Sequence, residues 1–600
     1  MIQPTSIRKS TGLRAALVGL SLSAAPVLAM ADCRMLKLAE LSVTMSGLRP
    51  LVAARINGAD ARFLADSGAF YSMITSANAE QYKLKLHRAP ANLRVEGVGG
   101  RAEASATYVE ELTLADQTIR HIEFLVGGSE LGNGAVGLLG QNVLGIADAE
   151  YDLARGVIRL MRPGEGCEKV LLAYWVTTQP YSVIDIDWAR GKTSPAAGTA
   201  YLNGTRIRVV FDTGAGSSFL TRRAAEHAGF TPTGAGVVPA GFGHGLGSQS
   251  YQTWIAPFAS FKLGDEEIRD TRLRVGDADL PTGDMLLGAD FFLSHHVYVA
   301  NSRDKLYFTY NGGPVFNLAQ LPPKPAGTDP PLGASSQGKD DEREPTDAAG
   351  FARRGAAYAA RRDFEHAISD LTRACELDPT GASYFRQRGL ARWSNGQPDL
   401  AMSDLDQALK LAPDDIDALM LRAGLRLASH DISAASTDLE TVDRLASKEA
   451  DVRLEIAGLY SRADMLTAAL SQYDLWIAAH PRDADLARAK NGRCWVRALL
   501  GSDLDKALKD CDDALRMIDK SPQFLDSRGL VLLRLGEYDR SIADYDASLN
   551  LKPRSAWSLY GRGVARLRKG MAAEGRSDMA AAAAIQPSIA EEAGRHGIVP

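Results

Sequence analysis

The chain has 600 residues, 45% of them apolar and 24% charged, with 68 basic against 73 acidic side chains and a formal net charge of −5. That length exceeds what one hydrophobic core supports, so a multidomain protein is expected. The near-even charge balance gives no electrostatic case for a nucleic-acid partner or an anionic membrane surface.

At the N-terminus, Arg8, Lys9 and Arg14 precede an uncharged apolar run, 15–28, that closes on Ala29-Met30-Ala31. A basic flank, a short apolar stretch and small residues spaced A-x-A describe a secretory signal peptide. Pro26 would interrupt a helix near the end of the run. Residues 1–31 are therefore expected to be cleaved off before Asp32, giving an exported protein, periplasmic or secreted, with no stable membrane insertion after cleavage. The alternative is an uncleaved anchor, for which the run is short. Asp32 stands where a lipid-modified Cys33 would want a small residue, and no later stretch is apolar enough to span a bilayer.

Residues 32–168 and 169–320 read as two copies of one β-rich unit. Asp66-Ser67-Gly68-Ala69 recurs as Asp212-Thr213-Gly214-Ala215, 146 positions on, and Leu138-Leu139-Gly140 recurs as Leu286-Leu287-Gly288, 148 on. Both triads follow a similar strand, with Ile56-Asn57-Gly58 ahead of one and Leu202-Asn203-Gly204 ahead of the other. Strands are expected at 51–56, 61–65, 108–114, 122–126 and 157–161. In the second copy they are expected at 206–211, 254–263, 271–275, 297–300 and 306–310. Gly, Asn and Asp punctuate these runs at short intervals, as in a compact antiparallel fold.

The Asp-[Ser/Thr]-Gly-Ala signature, the later apolar-apolar-Gly and the Gly-rich stretch between them resemble the retropepsin-like aspartic proteases, with two lobes in one chain. The resemblance implies an all-β bilobal acid-protease-like fold and an aspartic-type endopeptidase. It makes Asp66 and Asp212 the catalytic pair, Ser67 and Thr213 the bracing hydroxyls, and Gly68 and Gly214 the turn residues. The two Leu-Leu-Gly segments become supports. Two carboxylates held close together cannot both ionise cheaply, so one proton stays between them. The ionised member then activates a water and the protonated one protonates the carbonyl oxygen. No metal or organic cofactor is required. Gly97, Gly99 and Gly100 in one copy and Gly243 and Gly245 in the other are candidate flap residues, suited to a mobile hairpin tip. Phe70 stands where the family has a small hydroxyl residue. That departure leaves open a non-catalytic binding scaffold with a degenerate cleft. Pairing of lobes from two chains is open too.

Residues 321–347, rich in Pro and then in charge, read as a disordered linker. Beyond it the period is helical. Gly355 and Gly389, Pro379 and Pro413, Gly529 and Gly563, and Pro553 and Pro587 are each 34 apart, and Ala367, Ala401, Ala435 and Ala469 keep the same interval. This resembles the tetratricopeptide repeat (TPR). About seven units are expected over 348–589, with some four extra residues near Gly501 and a tail at 590–600. The implied all-α TPR superhelix presents a groove for a peptide, an unfolded protein substrate or another protein partner.

Five cysteines suit an oxidising compartment. Cys33 and Cys167 flank the first copy, and Cys494 and Cys511 fall on the two helices of one expected hairpin, so each pair is a possible disulfide. His295-His296 has no third ligand in metal-site spacing and reads as a surface pair on a strand edge.

Overall fold

The computed structural model describes residues 33–89, 95–98, 100–102, 104–127, 134–187, 194–243, 251–316, 344–481, 483, 485–518 and 521–600. The expected signal peptide, Gly99, Gly245 and the expected linker before residue 344 lie outside the described residues.

The duplication seen in sequence is a duplication of topology. In the first lobe the sheet order is Arg49–Ile56, Ala59–Ala65, Gly137–Leu139, Met73–Ile74, Gln117–Gly127, Ala104–Leu114, Leu86–Arg88. The second lobe repeats it strand for strand: Ala197–Leu202, Thr205–Phe211, Met285–Leu287, Phe219–Thr221, Glu266–Gly276, Tyr251–Leu263, Val238–Gly243. All ten expected strands form. Their alternation is plain where one face meets solvent: Val43 and Met45 are buried between exposed neighbours on strand Met35–Ser46.

A six-stranded platform joins the lobes, in the order Ser182–Asp185, Lys305–Tyr310, His295–Ala300, Asp148–Asp152, Val157–Pro163, Met35–Ser46. Its centre is the antiparallel pairing of Asp148–Asp152 with His295–Ala300, in which Glu150 faces Tyr298. Every residue of these two strands is buried. That corrects the reading of His295 and His296 as a surface pair. A strand covered on both faces loses its alternation, and polar residues on it then look like an edge. His296 Nε2 instead lies 2.9 Å from Glu150 Oε1 across the lobe boundary, with its ring stacked on Trp175. Glu150 also accepts from Arg159 and Tyr174. Burial pushes the Glu150 carboxyl up, but the hydrogen bond and charge of His296 and the Arg159 charge bring it below its ordinary range.

The C-terminal region is seven antiparallel helix pairs, from Ala348–Ala360 with Phe364–Leu377 to Ala556–Arg568 with Ala572–Ile585. Ala367, Ala401, Ala435 and Ala469 are fully buried. They recur because the helices of a pair touch backbone to backbone: a Cβ on Gly389 would lie 3.3 Å from the Ala401 carbonyl oxygen. Residues 590–600 are not a loose tail. Helix Ile589–Arg595 caps the last pair, burying Ile589, Ala593 and Ile598. The extra residues of the fifth pair are also relocated. Only one falls near Gly501, where Arg493 and Asp510 are 17 apart against 16 in the other gripped pairs, and the other three fall between Pro481 and Arg493.

Both possible disulfides are formed, Cys33–Cys167 and Cys494–Cys511, and Cys375 is free and buried. Cys494 occupies the glycine position of its pair. Its partner Cys511 occupies the place of Leu371 and Leu405, the side chains that meet Gly355 and Gly389.

A ladder unseen in the sequence reading locks the pairs. Arg354, Arg388, Arg422, Arg493, Arg528 and Arg562 each grip a buried aspartate of the second helix with two N–H groups: Asp370, Asp404, Asp438, Asp510, Asp544 and Asp578. The fourth pair lacks it, having Ile456 and Gln472 at these places. Asp404 also accepts from Arg392. Asp404→Ala should therefore cost about 3 kcal/mol, since it leaves two largely buried guanidinium groups unpaired. Denaturant unfolding monitored by circular dichroism measures this.

Candidate active site

Each Asp-[Ser/Thr]-Gly triad turns out of a strand that is held by its Leu-Leu-Gly partner. Strand Gly137–Leu139 runs parallel to Ala59–Ala65, and strand Met285–Leu287 runs parallel to Thr205–Phe211. The Asp66 amide donates to the Leu139 carbonyl and the Asp212 amide to the Leu287 carbonyl, both at 2.9 Å. Gly140 and Gly288 sit against the triad loops so closely that a Cβ on either would meet backbone atoms at 2.6 Å, Tyr71 C in one lobe and Ala215 O in the other. Only glycine fits there.

The two loops are tied together by a reciprocal set of buried hydrogen bonds. The Ser67 amide donates to Thr213 Oγ1 at 3.0 Å, and the Thr213 amide donates to Ser67 Oγ at 3.0 Å. Each hydroxyl then donates across to the other lobe, Ser67 to the Phe211 carbonyl at 2.9 Å and Thr213 to the Ala65 carbonyl at 2.7 Å. Every donor and acceptor of the crossing is satisfied within it.

This brace sets the carboxyl groups side by side. Gly68 donates to Asp66 Oδ1 and Gly214 to Asp212 Oδ1, both at 2.9 Å, and Ala215 adds a second bond to Asp212 at 3.1 Å. A Cβ on Gly68 would overlap the Asp212 carboxylate, and one on Gly214 would overlap that of Asp66. The turn glycines are thus required by the opposite lobe as well as by their own turns. Burial, the Asp212 charge and a hydrogen bond from Asp66 to Asp212 push the Asp66 carboxyl well above its ordinary range. Burial pushes Asp212 up too, but the Ala215 amide, the Asp66 hydrogen bond and the Gly214 amide favour its ionised form. Ionising both is therefore disfavoured, and the pair retains a proton between its two carboxyl groups. Both residues remain partly open to solvent.

Sequence reasoning missed a second ring of support. Ser72 Oγ donates to Asn142 Oδ1 and accepts from the Gly140 amide. In the other lobe Ser218 Oγ donates to Asp290 Oδ1 and accepts from the Gly288 amide. Ser72 and Ser218 share the spacing of the triads, and Asn142 and Asp290 that of the Leu-Leu-Gly segments, so extending the alignment by a few residues finds them. The lobes' small hydroxyl thus comes two residues after Phe70, which is half-buried opposite Gly216 in the duplication. Tyr151, buried on the platform, also escaped notice. Burial and the Asp66 charge raise its phenol.

Of the flap candidates, Gly97 and Gly100 pair in a two-stranded hairpin, Val95–Gly97 with Gly100–Ala102, and Gly243 ends strand Val238–Gly243. Val98, at the hairpin turn, reaches the other lobe and packs on a patch of Ala197, Val210, Leu286, Ala215 and Leu280. The first lobe has the corresponding patch, built of Leu51, Leu64, Met73, Leu125 and Leu138 with Ala69 at its margin. Among the described residues no group of three or more His, Cys, Asp or Glu is placed to hold a metal, and no helix is long and apolar enough to cross a membrane.

Residues 52–143 and 198–291 each match the aspartyl protease family, and residues 354–426 and 522–555 match tetratricopeptide repeat families. No curated protein matches the chain. Among solved structures, the chain is similar to a tetratricopeptide repeat protein from Parabacteroides merdae, 16% identical over 42% of this chain and 98% of that one, with a TM-score of 0.35. It is also similar to Pseudomonas aeruginosa pilF, 20% identical over 36% of this chain and 92% of that one, with a TM-score of 0.27. The N-terminal region is thus an aspartyl-protease-like fold in two tandem copies, and the C-terminal region is a TPR array.

Thr213→Val keeps the volume but strands the Ala65 carbonyl and the Ser67 amide. It should lower the stability of the lobe pair by about 1–3 kcal/mol, read from thermal unfolding of the full chain, whereas Thr213→Ser should sit near the native value.

Proposed function

We propose that the protein is an exported aspartic endopeptidase in which Asp66 and Asp212 hydrolyse peptide bonds, with the TPR array recruiting the protein substrate or a partner. The single observation behind this is the reciprocal brace that presents two carboxyl groups sharing one proton on the floor of an interlobe cleft. Asp212, ionised, takes a proton from a bound water as that water attacks the scissile carbonyl carbon. Asp66 donates its proton to the carbonyl oxygen, giving a tetrahedral diol. Collapse of the diol returns a proton to the departing nitrogen and restores the starting pair. The N-terminal signal pattern and the two disulfides support export. N-terminal sequencing of the processed protein should begin at Asp32.

A second reading, a non-catalytic peptide-binding scaffold, is favoured by Phe70, which places a ring where the other lobe has Gly216. The pH profile separates the two. A working pair gives a bell: activity falls at low pH as Asp212 takes up a proton and falls again at higher pH as Asp66 loses its own. Asp66→Asn and Asp212→Asn should each abolish cleavage of an unfolded protein under acidic conditions, and a statine-type mimic of the diol should inhibit the native chain. Undiminished cutting by either variant refutes the assignment.

The same proton makes a stability prediction. A carboxyl raised on folding stabilises the fold below its ordinary pKa, and that contribution is lost as pH climbs through the raised value. Asp66→Asn should therefore unfold at a higher temperature than the native chain at neutral pH, with the gap closing in acid, as thermal scans across pH would show.

A further inference from the structure

Except between the second and third pairs, successive first helices of the TPR pairs pack on one another, and successive second helices make no comparable contact, so the first helices line the inside of the curve. On the second pair this inner surface includes Leu390, which is 45% exposed, and Ser394, also exposed. One repeat earlier the same two positions are Ala356 and Ala360, and they are only 8% and 7% exposed. What covers them is the protease-like body. Both belong to the apolar core that also holds Leu41, Val43 and Leu153. Helix Ala348–Ala360 runs along strand Met35–Ser46 and the 3-10 turn Leu153–Arg155 of the first lobe. Arg353 lies over Gly156, where a Cβ would come within 2.7 Å of Arg353 Cβ. At the helix end, Arg361 reaches the second lobe, its Nη2 donating to the Gly312 carbonyl at 2.8 Å.

One helix of the array thus touches both lobes beside the platform that joins them. We propose that helix Ala348–Ala360 is a strap holding the two lobes in the register that places Asp66 against Asp212, so that the TPR array positions the pair of carboxyl groups. The strap rests on contacts alone; only its effect on hydrolysis rests on the peptidase reading. Its position also closes the first-repeat end of the inner surface, so a partner is left the repeats from Ala382 onward.

Hydrogen exchange on the full chain tests this. Ala356→Glu forces a charge into the joint, and amide exchange in platform strands Asp148–Asp152 and His295–Ala300 should rise at least tenfold while helices from Ala382 onward keep native protection. Leu390→Glu, the same position one repeat later, should leave the platform unchanged. Should Ala356→Glu fail to fold, Arg361→Ala removes the bond to Gly312 along with the guanidinium's place over the Tyr358 ring, and should speed platform exchange several-fold. Native platform exchange in a folded Ala356→Glu or Arg361→Ala chain, or an equal rise with Leu390→Glu, overturns the strap. Peptide cleavage by Ala356→Glu should fall at least tenfold in parallel. A native chain that cuts nothing overturns the peptidase reading and leaves the exchange result to judge the strap.

Discussion

The crossing of Ser67 and Thr213 is the constraint from which the rest of the N-terminal structure follows. Two loops from different lobes exchange four buried hydrogen bonds, and each hydroxyl both accepts from and donates to the opposite lobe. Such a set holds only if all its members are in place, because a lone survivor would be a buried polar group without a partner. The brace demands strands of fixed height beneath it, which Leu-Leu-Gly supplies, and glycines where the loops approach, which Gly140 and Gly288 supply. It leaves the two aspartates no direction but toward each other.

Proximity then decides the electrostatics. Ordinary carboxylates on a protein surface avoid each other; here burial and mutual repulsion make ionising both too costly, and a proton becomes part of the structure. The lobes are alike in topology but not in charge. Both accept backbone amides, but burial, the Asp212 charge and their mutual hydrogen bond raise Asp66 well above its ordinary range, whereas that same hydrogen bond favours the Asp212 anion. A duplicated unit has in this way produced two non-equivalent acids, which is what acid and base roles in one cleft require.

Much of this was legible in the residues because it recurs. The triads, the Leu-Leu-Gly supports, the Gly and Ala of the helix pairs and the cysteine pairs all stood out by spacing. What was not legible was whatever appears once or depends on a partner far away in sequence. Glu150 and His296 look like surface residues until strands from two lobes pair and cover them. The Arg–Asp ladder was periodic yet overlooked, since charged residues on helices usually face solvent. The helix at 589–595 has no copy, so periodicity could not announce it. The docking of the first TPR helix on the platform was equally hidden, because alanines suit an exposed helix and a buried one alike.

In the fifth helix pair the gripping arginine and aspartate are 17 residues apart instead of 16, and it is there that sulfur replaces the glycine contact. Elsewhere close approach and, in most pairs, the arginine grip shut the pair; here a covalent bond is added to the grip. The integrity of the solenoid is therefore tied at one point to the redox state of its surroundings. In a thiol-rich milieu that pair would be left to its packing and its arginine grip, and only under oxidising conditions would the covalent clasp be added to them.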